Sequence, residues 1–275
     1  MPVIVSNVAE FRIESDEGLT IRGTLHVPAD AEALVVIVHG FKGFRHWGFF
    51  PWLSEQFAAC RIAACRFDMS RNGVGDDPER FERLDLFAGD TYSIQMADLR
   101  RVVAHCRSIP ALASLPLFLL GHSRGGAIAL LAARDVAPIR GIITWSSIAS
   151  ANRWDETTKR QWRRDGYFDV INARTHQNMR MSTAILDDYE SNAARLDVHA
   201  STAALDVPLL VIHGGRDESV PSDEGCALAA RARDASLLII ENATHTYNAI
   251  HPLVHVPREL SLAAQVSAHF VDAYV

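Results

Sequence analysis

One serine in this sequence stands where it could act as a nucleophile. Ser123 lies in Gly121-His122-Ser123-Arg124-Gly125-Gly126, directly after the apolar Leu117-Phe118-Leu119-Leu120 and directly before an Ala/Leu-rich stretch. A strand that turns abruptly into a helix holds its turn residue in a strained backbone conformation, and small neighbours allow the close approach this requires. Such a turn lifts the serine Oγ above the sheet edge, near the positive end of the following helix. A bare Gly-X-Ser-X-Gly arises often by chance, but on a strand–turn–helix it is a specific signal and outweighs the reading as a glycine-rich packing turn.

A serine hydroxyl is a poor nucleophile until a base takes its proton, so a histidine is required. Twelve are present, and position chooses among them. His245 sits in Glu241-Asn242-Ala243-Thr244-His245-Thr246-Tyr247, immediately after the last apolar run, and loops at the carboxyl ends of parallel strands are where sites assemble. His213 also ends an apolar run, with backbone support as its expected role. His122 flanks the serine and is expected to point elsewhere. His251 and His255 sit four apart, with Pro252 and Pro257 beside them and without the glutamate of a metal-binding helix, and no metal site is expected there.

The histidine in turn needs a carboxylate to orient it and stabilise its cation. Asp217, in the loop His213-Gly214-Gly215-Arg216-Asp217-Glu218-Ser219-Val220-Pro221, is the choice over Glu218, its neighbour, and Asp223, expected in a first helical turn. Charge developing on a substrate oxygen also calls for preorganised donors. The Arg124 N–H supplies one, and the Phe41 N–H of His39-Gly40-Phe41-Lys42-Gly43 the other. Each such donor is typically worth roughly 10²–10³ in rate. The Lys42 side chain is expected to project to solvent, without a role.

These residues need elements to position them. Phe11 and Ile13, then Leu19, Ile21, Gly23 and Leu25, alternate around Asp16-Glu17-Gly18 and predict an antiparallel hairpin. Leu34-Val35-Val36-Ile37-Val38 is a continuous apolar run, the pattern of a strand covered on both faces. Similar runs recur at 62–67, 117–120, 142–145, 209–212 and 237–240. Helical spacing separates them: Trp52, Leu53, Gln56, Phe57 and Cys60 form one stripe, and Ile94, Ala97, Leu99, Val102, Val103 and Cys106 another. Residues 127–133, 226–232 and 260–274 read as further helices. The alternation predicts an α/β fold, a mostly parallel sheet with helices on both faces.

One connection breaks the rhythm. Residues 147–206 separate two sheet strands by far more than the few residues usual for such links. This segment, rich in aromatic, methionine and charged residues, is read as a helical cap, with 1–146 and 207–275 as the core domain. Its Trp, Phe and Met residues either line an apolar pocket or form the cap's own core. The basic stretch at 159–164 reads as a solvated helix face.

Composition narrows the class. A net charge of −6 argues against nucleic-acid or anionic-membrane partners. Four cysteines show no CxxC pair and no zinc spacing, which suits buried thiols in a reducing cytoplasm. Met1-Pro2-Val3-Ile4-Val5 lacks the pattern of a signal peptide, and no apolar run approaches the ~20 residues of a membrane span. A soluble, cytoplasmic protein is the expectation, with its oligomeric state open, a homodimer included.

The set His39-Gly40-Phe41, Arg66-Phe67-Asp68, Gly121 to Gly126, the Asp217 loop and Ala243-Thr244-His245 resembles serine hydrolases of the α/β-hydrolase superfamily. It is most similar to bacterial carboxylesterases of the cinnamoyl/feruloyl esterase and dienelactone-hydrolase-like groups. The likeness covers nearly the whole chain outside the cap. It implies a central eight-stranded sheet, the chain order Ser123, Asp217, His245 with their triad roles, and no cofactor. The segment Met69-Ser70-Arg71-Asn72-Gly73-Val74-Gly75 departs from the simpler glycine-rich loop common in such enzymes, and the cap matches no subgroup. The resemblance therefore implies acyl transfer from a small-molecule ester without naming it. Carbon–carbon hydrolysis, peptide or amide cleavage, acyl transfer to an alcohol and a non-catalytic receptor on the same scaffold are the alternatives. Halide and epoxide chemistry are disfavoured, because those relatives carry an aspartate where Ser123 stands.

Overall fold

The computed structural model describes residues 6–136, 138–172 and 174–275; the segment Met1 to Val5, from which no signal peptide is read, lies outside them. The alternating first segment forms the hairpin β1 (Ser6–Glu14) and β2 (Thr20–Pro28). There follow β3 (Ala33–Val38), α1 (Phe50–Ala59), β4 (Ile62–Asp68), the short α2 (Leu84–Ala88), α3 (Tyr92–Ser108), β5 (Leu117–His122), α4 (Arg124–Ala132) and β6 (Gly141–Trp145). After the long connection come β9 (Leu209–Gly214), α8 (Ser222–Arg231), β10 (Ala235–Ile240) and α9 (Arg258–Ala273), the connection itself holding α5 (Glu156–Asp165), β7 (Tyr167–Ile171), β8 (Asn178–Ser182), α6 (Ala184–Ser191) and α7 (Val198–Ala203).

The main sheet has eight strands in the order β1-β2-β4-β3-β5-β6-β9-β10. Only the pairings of β2, with β1 and with β4, are antiparallel. The chain runs from β3 outward to β4 and then returns across β3 to β5, so the direction of strand order reverses between β3 and β5. Loops leaving the two strands on either side of such a reversal open a crevice at their carboxyl ends. The 39–43 loop and Ser123 leave from those two strands.

The apolar runs are buried because both sheet faces are covered. Leu34, Val36 and Val38 enter one core layer with the inner faces of α3 and α4, while Val35 and Ile37 enter the other with α1 and α9. Each such side chain contributes roughly 1.5–3 kcal/mol on burial. At β10 the pattern fails: Leu237 and Ile239 are exposed, since this strand ends the sheet and its outer part is uncovered.

The connection also departs from expectation, because it holds the antiparallel pair β7–β8 besides its helices. Gly166, at φ +77, ends α5 in the left-handed region, and Tyr167 to Ile171 then alternate half-buried and exposed. Trp162 is sandwiched between Trp154, ring centroids 5.0 Å apart, and Phe168 at 4.9 Å. Trp162, Met179 and Met181 are buried in a cluster continuous with the α3–α4 layer. Within the basic stretch, Arg163 pairs with Asp187 at 2.7 Å and Glu190 at 2.8 Å, tying α5 to α6. Among the described residues no helix is long and apolar enough to cross a membrane.

Candidate active site

Ser123 occupies the sharp turn between β5 and α4 with φ 57° and ψ −123°, a region costly for any residue bearing a Cβ. Its surroundings leave no room for the turn to relax. A Cβ on Gly121 would sit 2.2 Å from the Gly125 carbonyl oxygen, and one on Gly125 would sit 2.2 Å from that of Val38. Those two glycines let α4 start directly against the end of β3.

Asp217 and His245 come together although 28 residues separate them: His245 Nδ1 donates to Asp217 Oδ2 over 2.8 Å. The loops that carry them are joined by the Arg216 N–H to Ala243 carbonyl bond, 2.9 Å. Asp217 Oδ1 accepts from the amides of Ser219 (2.9 Å) and Val220 (2.8 Å), and His213 Nε2 lies 3.4 Å from Oδ2. Burial pushes this carboxyl up, but the hydrogen bonds from His213, His245 and the Val220 amide outweigh it and hold it well below the usual carboxylate range. Glu218 and Asp223 are exposed.

No hydrogen bond joins Ser123 Oγ to His245, yet both line the same two cavities. His122 holds the histidine from behind. Its Nε2 donates to the His245 carbonyl over 2.9 Å, and burial lowers its pKa to about 3, so it stays neutral. His213 Nε2 contacts the Val220 carbonyl at 3.0 Å, the backbone contact expected of it, and also reaches Asp217.

Phe41 and Arg124, the residues chosen as donors, face each other through their side chains: the guanidinium lies 4.1 Å from the Phe41 ring centroid. Neither N–H is consumed by a backbone hydrogen bond among the described residues. Gly40 is pressed against Ser123, since a Cβ there would fall 2.9 Å from the serine Cβ. His39 braces this loop, with Nδ1 donating to the Gly40 carbonyl (2.9 Å) and Nε2 accepting from the Met69 amide (3.3 Å). Behind Arg124 lie the Tyr92 ring at 5.1 Å and the Asp90 carboxylate at 3.9 Å. Burial raises Asp90 to about 7 despite the arginine.

Lys42 does not project freely into solvent. Half-buried and at φ +58, it donates from Nζ to the Ile171 carbonyl of β7 over 3.1 Å. It lines both cavities that meet at Ser123 and His245. One, about 250 Å³, is closed by Trp47, Phe50, Asn172 and Arg174; the other, about 370 Å³, by Ile148, Arg153, Trp154 and Val220. Sequence reading singled out neither Lys42 nor Asp90, Arg153 or Arg174 for this site. Only the position of Lys42 beside Phe41 offered a signal.

The model of the family described as serine aminopeptidase, S33, matches residues 29–164. Solved structures share the whole architecture at low identity. Est1E from Butyrivibrio proteoclasticus, solved with ferulic acid, is 20% identical with a TM-score of 0.74, the match covering 96% of this chain and 98% of that one. The esterase domain of a Rhodothermus marinus protein is 19% identical, TM-score 0.67, over 98% and 99% of the two chains. Dienelactone hydrolase from Anabaena variabilis is 16% identical, TM-score 0.65, over 98% and 99%. No curated protein matches the sequence.

Proposed function

We propose that this chain is a serine hydrolase of the α/β-hydrolase superfamily that cleaves carboxylic esters of small or medium-sized molecules through an acyl-enzyme. The observation that carries the reading is the 2.8 Å bond from His245 Nδ1 to a fully buried Asp217 carboxylate, in a site that His245 shares with the strained Ser123. With Nδ1 committed to Asp217, the lone pair of Nε2 is the one left to take the Ser123 proton. Ser123 Oγ then attacks the ester carbonyl, whose oxygen gathers negative charge against the N–H groups of Phe41 and Arg124. Imidazolium His245, stabilised by Asp217, returns the proton to the departing alcohol. Water repeats the sequence on the acyl-enzyme and frees the acid.

Nothing in this cycle requires a cofactor. The same proposal takes 147–206 as a cap on a core of 1–146 and 207–275, supported by the cavity-lining Arg153, Trp154, Asn172 and Arg174, and takes the cytoplasm as the setting. The family description raises a second reading, cleavage of a peptide at its free amino terminus. That chemistry calls for an acidic group to hold the terminal ammonium, and neither cavity has an aspartate or glutamate among its described lining residues, which favours the ester.

Ser123→Ala is expected to lower turnover of para-nitrophenyl acetate at least roughly 10³-fold and to abolish fluorophosphonate labelling, with the thermal melt unchanged. Retained labelling in that variant would sink the proposal.

A further inference from the structure

The two cavities carry charge of one sign. Lys42 and Arg174 border the first, and Lys42, Arg124 and Arg153 the second, with no carboxylate among the described lining residues of either. This is unexpected in a chain of net charge −6. The cations differ in what already occupies them. Arg153 donates to both Glu224 oxygens at 2.7 and 2.8 Å, Arg124 faces Asp90, and Arg174 donates to the Glu79 carbonyl at 2.9 Å. Lys42 has no carboxylate within ion-pair distance among the described residues; its Nζ lies 5.7 Å from the Phe41 ring centroid, and its one hydrogen bond, to the Ile171 carbonyl, leaves donor capacity on an ammonium that has three protons.

A cation drawn out of water without an anion is a cost the fold carries. Burial accordingly pulls the Lys42 ammonium below its ordinary pKa. The lysine is nevertheless anchored: its backbone sits at φ +58 in the turn beside Phe41, and its tip is tethered to the hairpin. It stands where the two cavities adjoin, beside Ser123 and His245.

We infer that the ester turned over here carries a carboxylate, and that Lys42 is the residue that binds it. This rests on the serine-hydrolase reading and narrows its substrate class. An incoming carboxylate supplies the missing counter-ion and accepts hydrogen bonds from the unused Nζ–H groups. A carboxamide of the same shape satisfies hydrogen bonds but not the charge.

Matched esters test this. One pair places the group on the acyl half, the para-nitrophenyl esters of terephthalic acid and of its monoamide. The other places it on the alcohol half, para-carboxyphenyl and para-carbamoylphenyl butanoate. For at least one pair the wild-type enzyme is expected to favour carboxylate over carboxamide at least about tenfold in kcat/KM, and that pair identifies which half bears the acid. Lys42→Met should collapse the ratio at least about tenfold, and Lys42→Arg should keep most of it; comparing ratios cancels intrinsic ester reactivity and any general loss in the variant. A wild-type ratio near or below unity in both pairs, or a ratio unmoved by Lys42→Met, overturns the inference. If esters of both kinds are hydrolysed by a Ser123-dependent activity without charge preference, only this inference falls. Absence of both turnover and fluorophosphonate labelling overturns the serine-hydrolase reading together with it.

Discussion

Three histidines other than the proposed base stand within a few residues of its partners, and each is held by a different bond. His39 bonds to Gly40, His122 to the His245 carbonyl, and His213 to Val220 and the acid. The pair at the centre is the part most open to test. Asp217→Asn keeps the shape but loses the charge that, in the proposed mechanism, orients and stabilises the His245 cation, so kcat is expected to fall roughly 10²–10⁴-fold in an ester assay with the fold intact. Glu218→Gln and Asp223→Asn, both at exposed positions, serve as controls. His122 makes a stability prediction. Its folded pKa of about 3 lies below the unfolded value of 6.5, so between those values the unfolded chain binds a proton that the folded one refuses. Stability therefore falls as pH drops through that window, by about 1.4 kcal/mol per pH unit for the one proton. Denaturant melts from pH 6 to 4 should show a slope shallower by about one proton in His122→Gln than in the parent.

At the scale of elements, the β5–α4 turn and the β3 loop act as one unit. The strain at Ser123 persists because β3, β5 and α4 over-determine it, with Gly121 and Gly125 allowing their close approach. Gly125→Ala would drive a methyl group into the Val38 carbonyl. It is expected to cost about 2 kcal/mol or more in denaturant unfolding and to cut ester turnover at least roughly 100-fold. Gly225, in α8, plays a comparable part for the acid: a Cβ there would meet His213 Nδ1 at 2.5 Å and displace the ring that contacts Asp217.

For the whole molecule, the 147–206 segment is the main variable. It is anchored by Trp162 under the hairpin and reaches the cavities through Arg153, Trp154, Asn172 and Arg174. Trp162→Ala removes a fully buried indole and is expected to cost about 3–5 kcal/mol by chemical denaturation. Much of the sheet was legible beforehand, because a strand buried on both faces must be apolar throughout and 34–38, 117–120 and 209–212 are. The exposed outer part of β10 was not, since an apolar run does not reveal which strand ends the sheet. Nor was the β7–β8 hairpin, whose five-residue strands lie amid helical, charged sequence. Ser123, Asp217 and His245 could be chosen by sequence alone, because each follows a strand and the chemistry admits few residue types. The 2.8 Å contact between the last two, the neutral support of His122 and the exposure of Lys42 to two cavities without a carboxylate needed the tertiary structure. Those properties depend on which distant loops meet and what surrounds a charge, and neighbours in sequence do not determine either.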